Sequence, residues 1–462
     1  MSKKLNTRIE KDSMGSFEVP SDAYYGANTM RAVLNFPISS LKFQREFIKS
    51  LAQIKKAAAL TNLDLDLIDK TIAEKIADAA EQVIKGNYDD QFVVDIFQTG
   101  SGTSTNMNIN EVISNLAIEK MKGVIGSKEP VHPNDHVNMG QSSNDVIPTA
   151  IHISAVDSIT NQLLPAIEQL ENALEQKSRE FKDIVKTGRT HLQDATPITL
   201  GQEFQGFAGQ MNRSRLRIKS ALNGLREVAL GGTAVGTGVN THNEFAKRVC
   251  IYLSDWTGQD IQETDNHFQS QNTLDAVVYM SGALKTLAVS AMKISNDIRW
   301  LGSGPRAGFG EIELPEVQPG SSIMPGKVNP VIAESTAMVA AQVIGNDLTV
   351  SIAGQSGNFE LNVMMPVAAF NLLQSIELLS TALGNLAAQC VSGIKATDSG
   401  PKMVEKGLAI VTTLVPIIGY DASAAIAKKA QNTGKTIREI ALEDTDLDPS
   451  DIDKILDPSK MV

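Results

Sequence analysis

Gly320-Ser321-Ser322-Ile323-Met324-Pro325-Gly326-Lys327-Val328-Asn329-Pro330 puts two glycines, two serines, a lysine and an asparagine into one short stretch. Glycine and proline punctuate it, so it reads as a loop with limited ways to fold. Such a loop suits holding a small anion while a nearby side chain moves a proton. It is not a phosphate loop. Five residues separate Gly320 from Gly326, where that motif has about four, and Val328 follows the lysine where a Mg²⁺-binding Ser or Thr is required.

Outward from the loop the pattern is helical. Long helices are expected at 331–354 and 364–392 after it, and at 200–229 and 270–301 before it. Ile159, Leu163, Ile167, Leu170 and Leu174 recur at steps of four, four, three and four, one helical face. That segment is expected to run from Asp145 into the 180s, kinked at Pro165. Strand-like alternation is scarce, so the fold class is all-α. Residues 281–296 and 333–346 are rich in small side chains on more than one face, which lets helices approach closely on several sides. A helix buried within one chain and a bundle shared between subunits both fit.

Polar, turn-rich breaks at Pro130–Asn144 and Gly393–Pro401 divide the chain. The expectation is a mostly helical N-terminal domain at 1–138, a central long-helix bundle at 139–396 and a small helical C-terminal domain at 397–462.

A chain of 462 residues can bury a large core. Its net charge of −11 argues against a nucleic-acid or anionic-membrane partner, either of which wants a basic face. Two cysteines, Cys250 and Cys390, exclude a disulfide framework, a cysteine-rich zinc site and an iron–sulfur cluster. No apolar run is expected to approach the ~18 residues of a spanning helix. Met1-Ser2-Lys3-Lys4-Leu5 lacks the apolar core of a signal peptide. The expected location is the cytoplasm.

Four further polar segments interrupt the helices. Thr99-Gly100-Ser101-Gly102-Thr103-Ser104-Thr105-Asn106 reads either as a helix-capping loop or as a carboxylate site at a helix N-terminus. In His132-Pro133-Asn134-Asp135-His136, Pro133 argues against a helix through both histidines, and the Glu of a His-Glu-x-x-His zinc motif is absent. No metal is expected there. Gln141-Ser142-Ser143-Asn144-Asp145 follows directly. Gly188-Arg189-Thr190-His191-Leu192-Gln193-Asp194 surrounds one histidine with polar neighbours between two long helices, which fits a structural or a functional histidine. Gly231–Gly238 lacks the preceding strand of a dinucleotide loop and reads as a tight inter-helix connection.

Taken with the 320–330 loop, these segments resemble the class II (iron-independent) fumarate hydratases of the fumarase/aspartase superfamily, from Arg8–Gly15 to Gly419-Tyr420-Asp421. Thr99 with Ser101, His132, Ser143, His191 and Gly326 follow the fumarase pattern where aspartases have other residues. His191 is the most chemical of these, since the aspartase glutamine cannot exchange a proton at neutral pH.

The resemblance implies a three-domain fold whose long helices form a tetrameric core. It implies hydration of fumarate to (S)-malate through an aci-carboxylate, with no cofactor. Ser321 is then the base at carbon, His191 the acid/base at oxygen and Glu334 the residue orienting His191. Lys327 and Asn329 clamp the reacting carboxylate. Ser101, Gly102, Thr103, Ser142, Ser143, Asn144, Thr190, Ser322 and Val328 supply the other substrate contacts, drawn from three subunits of a homotetramer. A second anion site falls on His132, Pro133, Asn134 and Asp135, where Glu129 reverses a charge that some members carry. Aspartate ammonia-lyase and a non-catalytic helical scaffold are the alternatives.

Overall fold

The computed structural model describes residues 6–462, so the reading made on Met1–Leu5 lies outside the described residues. In chain order the larger elements begin with strands β1 (Thr7–Asp12) and β2 (Gly15–Pro20). Helices α1 (Ala27–Asn35), α2 (Arg45–Asp64), α3 (Lys70–Ile84), α4 (Thr103–Lys120), α5 (Ser143–Ser158) and α6 (Leu164–Glu180) follow. A hairpin of β3 (Val185–Thr190) and β4 (Gln193–Thr199) precedes α7 (Leu200–Leu225) and α8 (Phe245–Thr257). Then come α9 (His267–Asn272), α10 (Asp275–Leu301), α11 (Val331–Gly354) and α12 (Met365–Gln389). Strands occur only as two-stranded ribbons among the described residues, and the fold is all-α, as expected.

The chain divides into two compact units: Met1–Leu164 with Leu216–Thr286 and Gln342–Leu379, and Pro165–Arg215 with Leu287–Ala341 and Ser380–Val462. In the first, Phe47, Leu51 and Ile54 of α2, Ile76 of α3, Ile109 and Ile113 of α4 and Ile151 of α5 are fully buried. Glu111 of α4 caps α1, accepting from the backbone N–H groups of Gly26 at 2.8 Å, Asn28 at 3.0 Å and Thr29 at 3.1 Å. A carboxylate there satisfies donors that a helix start leaves open. In the second, Ile167, Leu170 and Leu174 pack inward with Phe204 and Phe207, all at most 1% exposed. A separate apolar cluster at its C-terminal end holds Ile410, Leu414, Ile426, Ile437, Ile440, Ile452 and Leu456.

The helix from Asp145 into the 180s widens just before its proline. A π-turn at Ile159–Leu163 joins α5 to α6 without leaving helical dihedrals, and Pro165 follows it directly, so the wider turn accommodates the N–H that proline lacks. Pro148 lies inside α5 without ending it.

Three helices differ from the membrane reading. By length and composition α10, α11 and the segment Met365–Gly393 could each cross a membrane. Alanine, valine, isoleucine and leucine raise their mean hydropathy without any long unbroken apolar run. Polar groups pair between α10 and α11: Lys285 Nζ lies 2.6 Å from Asp347 Oδ2, and Ser281 donates to Asp347 Oδ1 at 2.8 Å. On α11, Met338 is 68% and Leu348 63% exposed in the single chain, an apolar face of the kind that marks an interaction surface.

Candidate active site

The 320–330 loop is closed on itself by its own residues. The Asn329 side-chain amide donates to the Gly320 carbonyl, and Lys327 N donates to Met324 O at 3.4 Å. No side chain fits at residue 320, because a Cβ there would meet the Lys327 carbonyl oxygen at 1.9 Å. Gly326 turns the chain at φ +77°, a conformation glycine adopts without strain. Inside this turn, Ser321 Oγ accepts from the backbone N–H of Met324 at 3.1 Å and of Ile323 at 3.3 Å. Two donors aimed at one hydroxyl oxygen favour its negatively charged form.

Directly after the loop, Glu334 lies in the first turn of α11. Lys327, Val328, Asn329 and Glu334 line one cavity of about 800 Å³, with Arg299 and Trp300 from the end of α10. The loop therefore brings a cation, a carboxylate and an amide to a common space. One amide N–H of Asn329 is used to close the loop, which leaves the second of its two donors for a ligand.

His191 stands on a different support. The β3–β4 register pairs Thr190 with Gln193, making His191-Leu192 a two-residue hairpin turn. Both adopt positive φ, +58° and +59°. Turns of this kind normally carry Asn or Gly, so these residue types carry no turn signal. His191 and Thr190 are exposed at the tip. Among the described residues the imidazole has no hydrogen-bond or ion-pair partner.

The remaining segments cluster in the first unit. The Thr99–Asn106 loop leads into α4, with Gly102 at the N-cap in a left-handed conformation, φ +73°. Ser101 Oγ and Thr103 Oγ1 are 2.8 Å apart. Ser142 caps α5: its side chain accepts from Asn144 N at 3.2 Å, and Ser142 N donates in turn to Asp145 Oδ1 at 2.9 Å. Ser143 Oγ accepts from Asn106 Nδ2 at 3.0 Å, and Asn144 Nδ2 donates to Ala234 O at 2.8 Å. Gly231–Gly238 is the expected tight connection, anchored by Asp145 Oδ2, which accepts from Gly231 N at 3.1 Å and Thr233 N at 2.9 Å.

Beneath Ser142–Asn144 lies a polar cluster that the sequence did not reveal. Lys55 of α2 is fully buried and donates to Asn138 Oδ1 and Gln141 Oε1, each at 2.9 Å. Asn138 Oδ1 also receives the Asn106 and Asn110 amides, both at 3.2 Å. Burial pulls the Lys55 ammonium down to about 7, with the Asp145 charge opposing. Burial likewise pushes the Asp145 carboxyl up to about 6, against the pull of the Ser142, Thr233 and Gly231 N–H groups and of Lys55. Asparagines at 106, 108, 110 and 115 within one helix were the available signal, because asparagine is a poor residue for a helix interior.

The His132 segment forms a single π-turn, Pro133–Val137, which the sequence reading did not anticipate. Pro133 sits at its first position, where no backbone donor is lost. His132 Nδ1 accepts from Asn134 N and Asp135 N at 3.2 Å, and His136 Nδ1 accepts from His132 N at 2.8 Å. Both imidazoles thus serve as local backbone acceptors.

Residues 15–345 match the lyase family model, and residues 410–462 match that of the fumarase C C-terminus. Class II fumarate hydratase of Thermosynechococcus vestitus is 51% identical over 439 residues, covering 95% of this chain and 94% of the relative. The chain belongs to the class II fumarate hydratases. Fumarate hydratase class II 2 of Pseudomonas aeruginosa is 50% identical, covering 99% of this chain and 98% of the relative. The crystal structure of class II fumarase from Schistosoma mansoni superposes with a TM-score of 0.96 at 40% identity, covering 99% of both chains. As a class II fumarate hydratase the chain is a hydro-lyase. Its two cysteines are buried free thiols, each pushed by burial up to about 12, so neither is a thiolate near neutral pH.

Proposed function

We propose that this class II fumarate hydratase interconverts fumarate and (S)-malate by acid/base catalysis through an aci-carboxylate, with Ser321 and His191 as the paired proton carriers. In the malate-to-fumarate direction the Ser321 alkoxide takes the proton next to a carboxylate, and the electron pair spreads into that carboxylate. The carbon–oxygen bond then breaks as His191 protonates the departing hydroxyl, releasing water and leaving the double bond. The reverse sequence adds water. Protons and water balance the reaction, so no cofactor enters it.

The single observation carrying this reading is the pair of backbone N–H groups on Ser321 Oγ. A serine hydroxyl is a poor base unless its alkoxide is stabilised, and charge-assisted bonds from fixed donors supply that stabilisation. Lys327 and Asn329 are assigned to the carboxylate that gathers charge, where preorganised donors favour the transition state over the ground state. Glu334 is assigned to orient the His191 imidazole. Ser101, Gly102, Thr103, Ser142, Ser143, Asn144, Thr190, Ser322 and Val328 complete the binding of the dianion.

The proposal includes a cytoplasmic homotetramer with sites built from three subunits and the three-part domain division. It extends to no nucleic-acid or membrane partner. The exposed, unpartnered His191 and the exposed apolar residues of α11 support sharing of sites between chains. The second anion site is retained on His132–Asp135, its affinity weakened by Glu129.

Purified protein given fumarate alone is expected to form malate, measured by the loss of fumarate absorbance and identification of the product. Aspartate formed only in the presence of ammonium would overturn the hydratase reading in favour of an ammonia-lyase. No product under either condition would favour the scaffold.

A further inference from the structure

His191 occupies a turn that its residue type does not favour. Positive φ at a histidine followed by a leucine persists only where surrounding structure over-determines the backbone. What holds this tip lies one strand-residue before it.

β3 carries a bulge between Thr187 and Arg189. Gly188 allows it, since a Cβ there would meet the Thr196 carbonyl oxygen at 2.5 Å. The bulge is followed at once by Arg189, whose Nη2 donates to Glu311 Oε1 at 2.7 Å. The guanidinium also stacks over Phe309, 4.2 Å from the ring centre. The Glu311 side chain is 1% exposed, and its other oxygen lies 3.1 Å from Lys186 Nζ. Lys186 in turn donates to Glu203 Oε2 at 2.7 Å. Two cations and two carboxylates therefore alternate along a mostly buried chain across β3, α7 and the segment after α10.

Glu311 is itself fixed. Its backbone N–H donates to Leu301 O at 2.8 Å, and its carbonyl accepts from Thr397 N at 3.1 Å. The carboxylate is thus a stationary post, and Arg189 is tied to it two residues before the imidazole. Nothing in the network touches a reacting atom, and the proton chemistry assigned above does not use it.

We propose that Glu311, acting through Arg189, is a positioning residue for His191: it locks the strand end from which the strained turn presents the imidazole. This rests on the assignment of His191 as the proton carrier at oxygen. One charge-assisted hydrogen bond to a fixed carboxylate, with the planar guanidinium stacked on Phe309, defines direction as well as distance. Loosening it lets the tip drift by a fraction of a residue length, and small displacements of a catalytic group are costly in rate.

The test is a double-mutant cycle on the full-length enzyme. Glu311→Gln is expected to lower kcat about tenfold or more while KM for fumarate stays within about twofold. In a His191→Asn background the same change is expected to cost nothing further, because there is no longer an imidazole to aim. Arg189→Lys, which keeps the charge and removes the planar fork, gives the same pattern and serves should the glutamine variant not fold. An equal loss of kcat with and without His191 would overturn the inference, as would wild-type kcat accompanied only by a lower Tm. Wild-type turnover in His191→Asn alone would instead overturn the role of His191, and this inference with it.

Discussion

Ser321→Ala is expected to lower kcat for fumarate hydration about 10³-fold, within the range that a positioned general base contributes. That corresponds to about 4 kcal/mol of transition-state stabilisation. The reason is the electrostatic setting of Oγ. Two backbone N–H groups converge on it, and the alanine leaves those donors with no oxygen to stabilise. KM should change little, because Lys327 and the serine and threonine hydroxyls proposed to bind the dianion remain in place. Stability should change little too. Ile323 and Met324 are exposed, so water replaces the lost acceptor. Steady-state kinetics with Tm measured alongside checks both halves. A variant that melts lower yet turns over normally would make Ser321 a turn-forming residue only.

His191→Asn is expected to lower kcat by about 10²-fold or more. Asparagine keeps a polar side chain but cannot carry a proton at neutral pH. It also tolerates the backbone of this position, φ +58°, better than most residues do, so the hairpin should form as before. The variant separates the two proton transfers. With Ser321 intact, malate should still exchange its carbon-bound proton with solvent deuterium faster than it loses water. In Ser321→Ala both processes should fail together. Equal suppression of exchange and dehydration by His191→Asn would remove the division of labour between the two residues.

The long helices were legible because their periodic apolar residues extend over many turns. Val331–Gly354 has the bounds its sequence pattern indicates, and α10 begins at Asp275, five residues inside the expected span, where Asn272-Thr273 breaks the pattern. The hairpin bearing His191 was not legible. β3 holds Gly188 in its middle and buries three consecutive residues, Lys186, Thr187 and Gly188, so it shows no alternation. Its turn residues are also of the wrong type for positive φ.

Lys55 and Lys56 illustrate a second limit. They are adjacent in sequence and of the same residue type, yet Lys56 pairs with Glu81 at 3.0 Å near the surface while Lys55 is fully buried among amides. Only the direction in which each side chain leaves α2 separates them. The candidate site was legible as residue types, since hydroxyls, a lysine and a histidine in turn-rich segments are rare among apolar helices. Which chain contributes each group to one site is a property of assembly, and no pattern within a single sequence encodes it.

We propose that Ser321 and His191 converge on one four-carbon diacid from different protomers. Mixing the inactive Ser321→Ala and His191→Asn proteins, dissociating them and letting them reassemble tests it directly. Sites that draw their serine from one variant and their histidine from the other are intact. At equal mixing and random assembly, activity should recover to about a quarter of wild type, since each of the two contributing positions is intact about half the time. Reassembled mixtures that stay as inactive as the separate variants, with mixed tetramers confirmed by mass, would contradict the account.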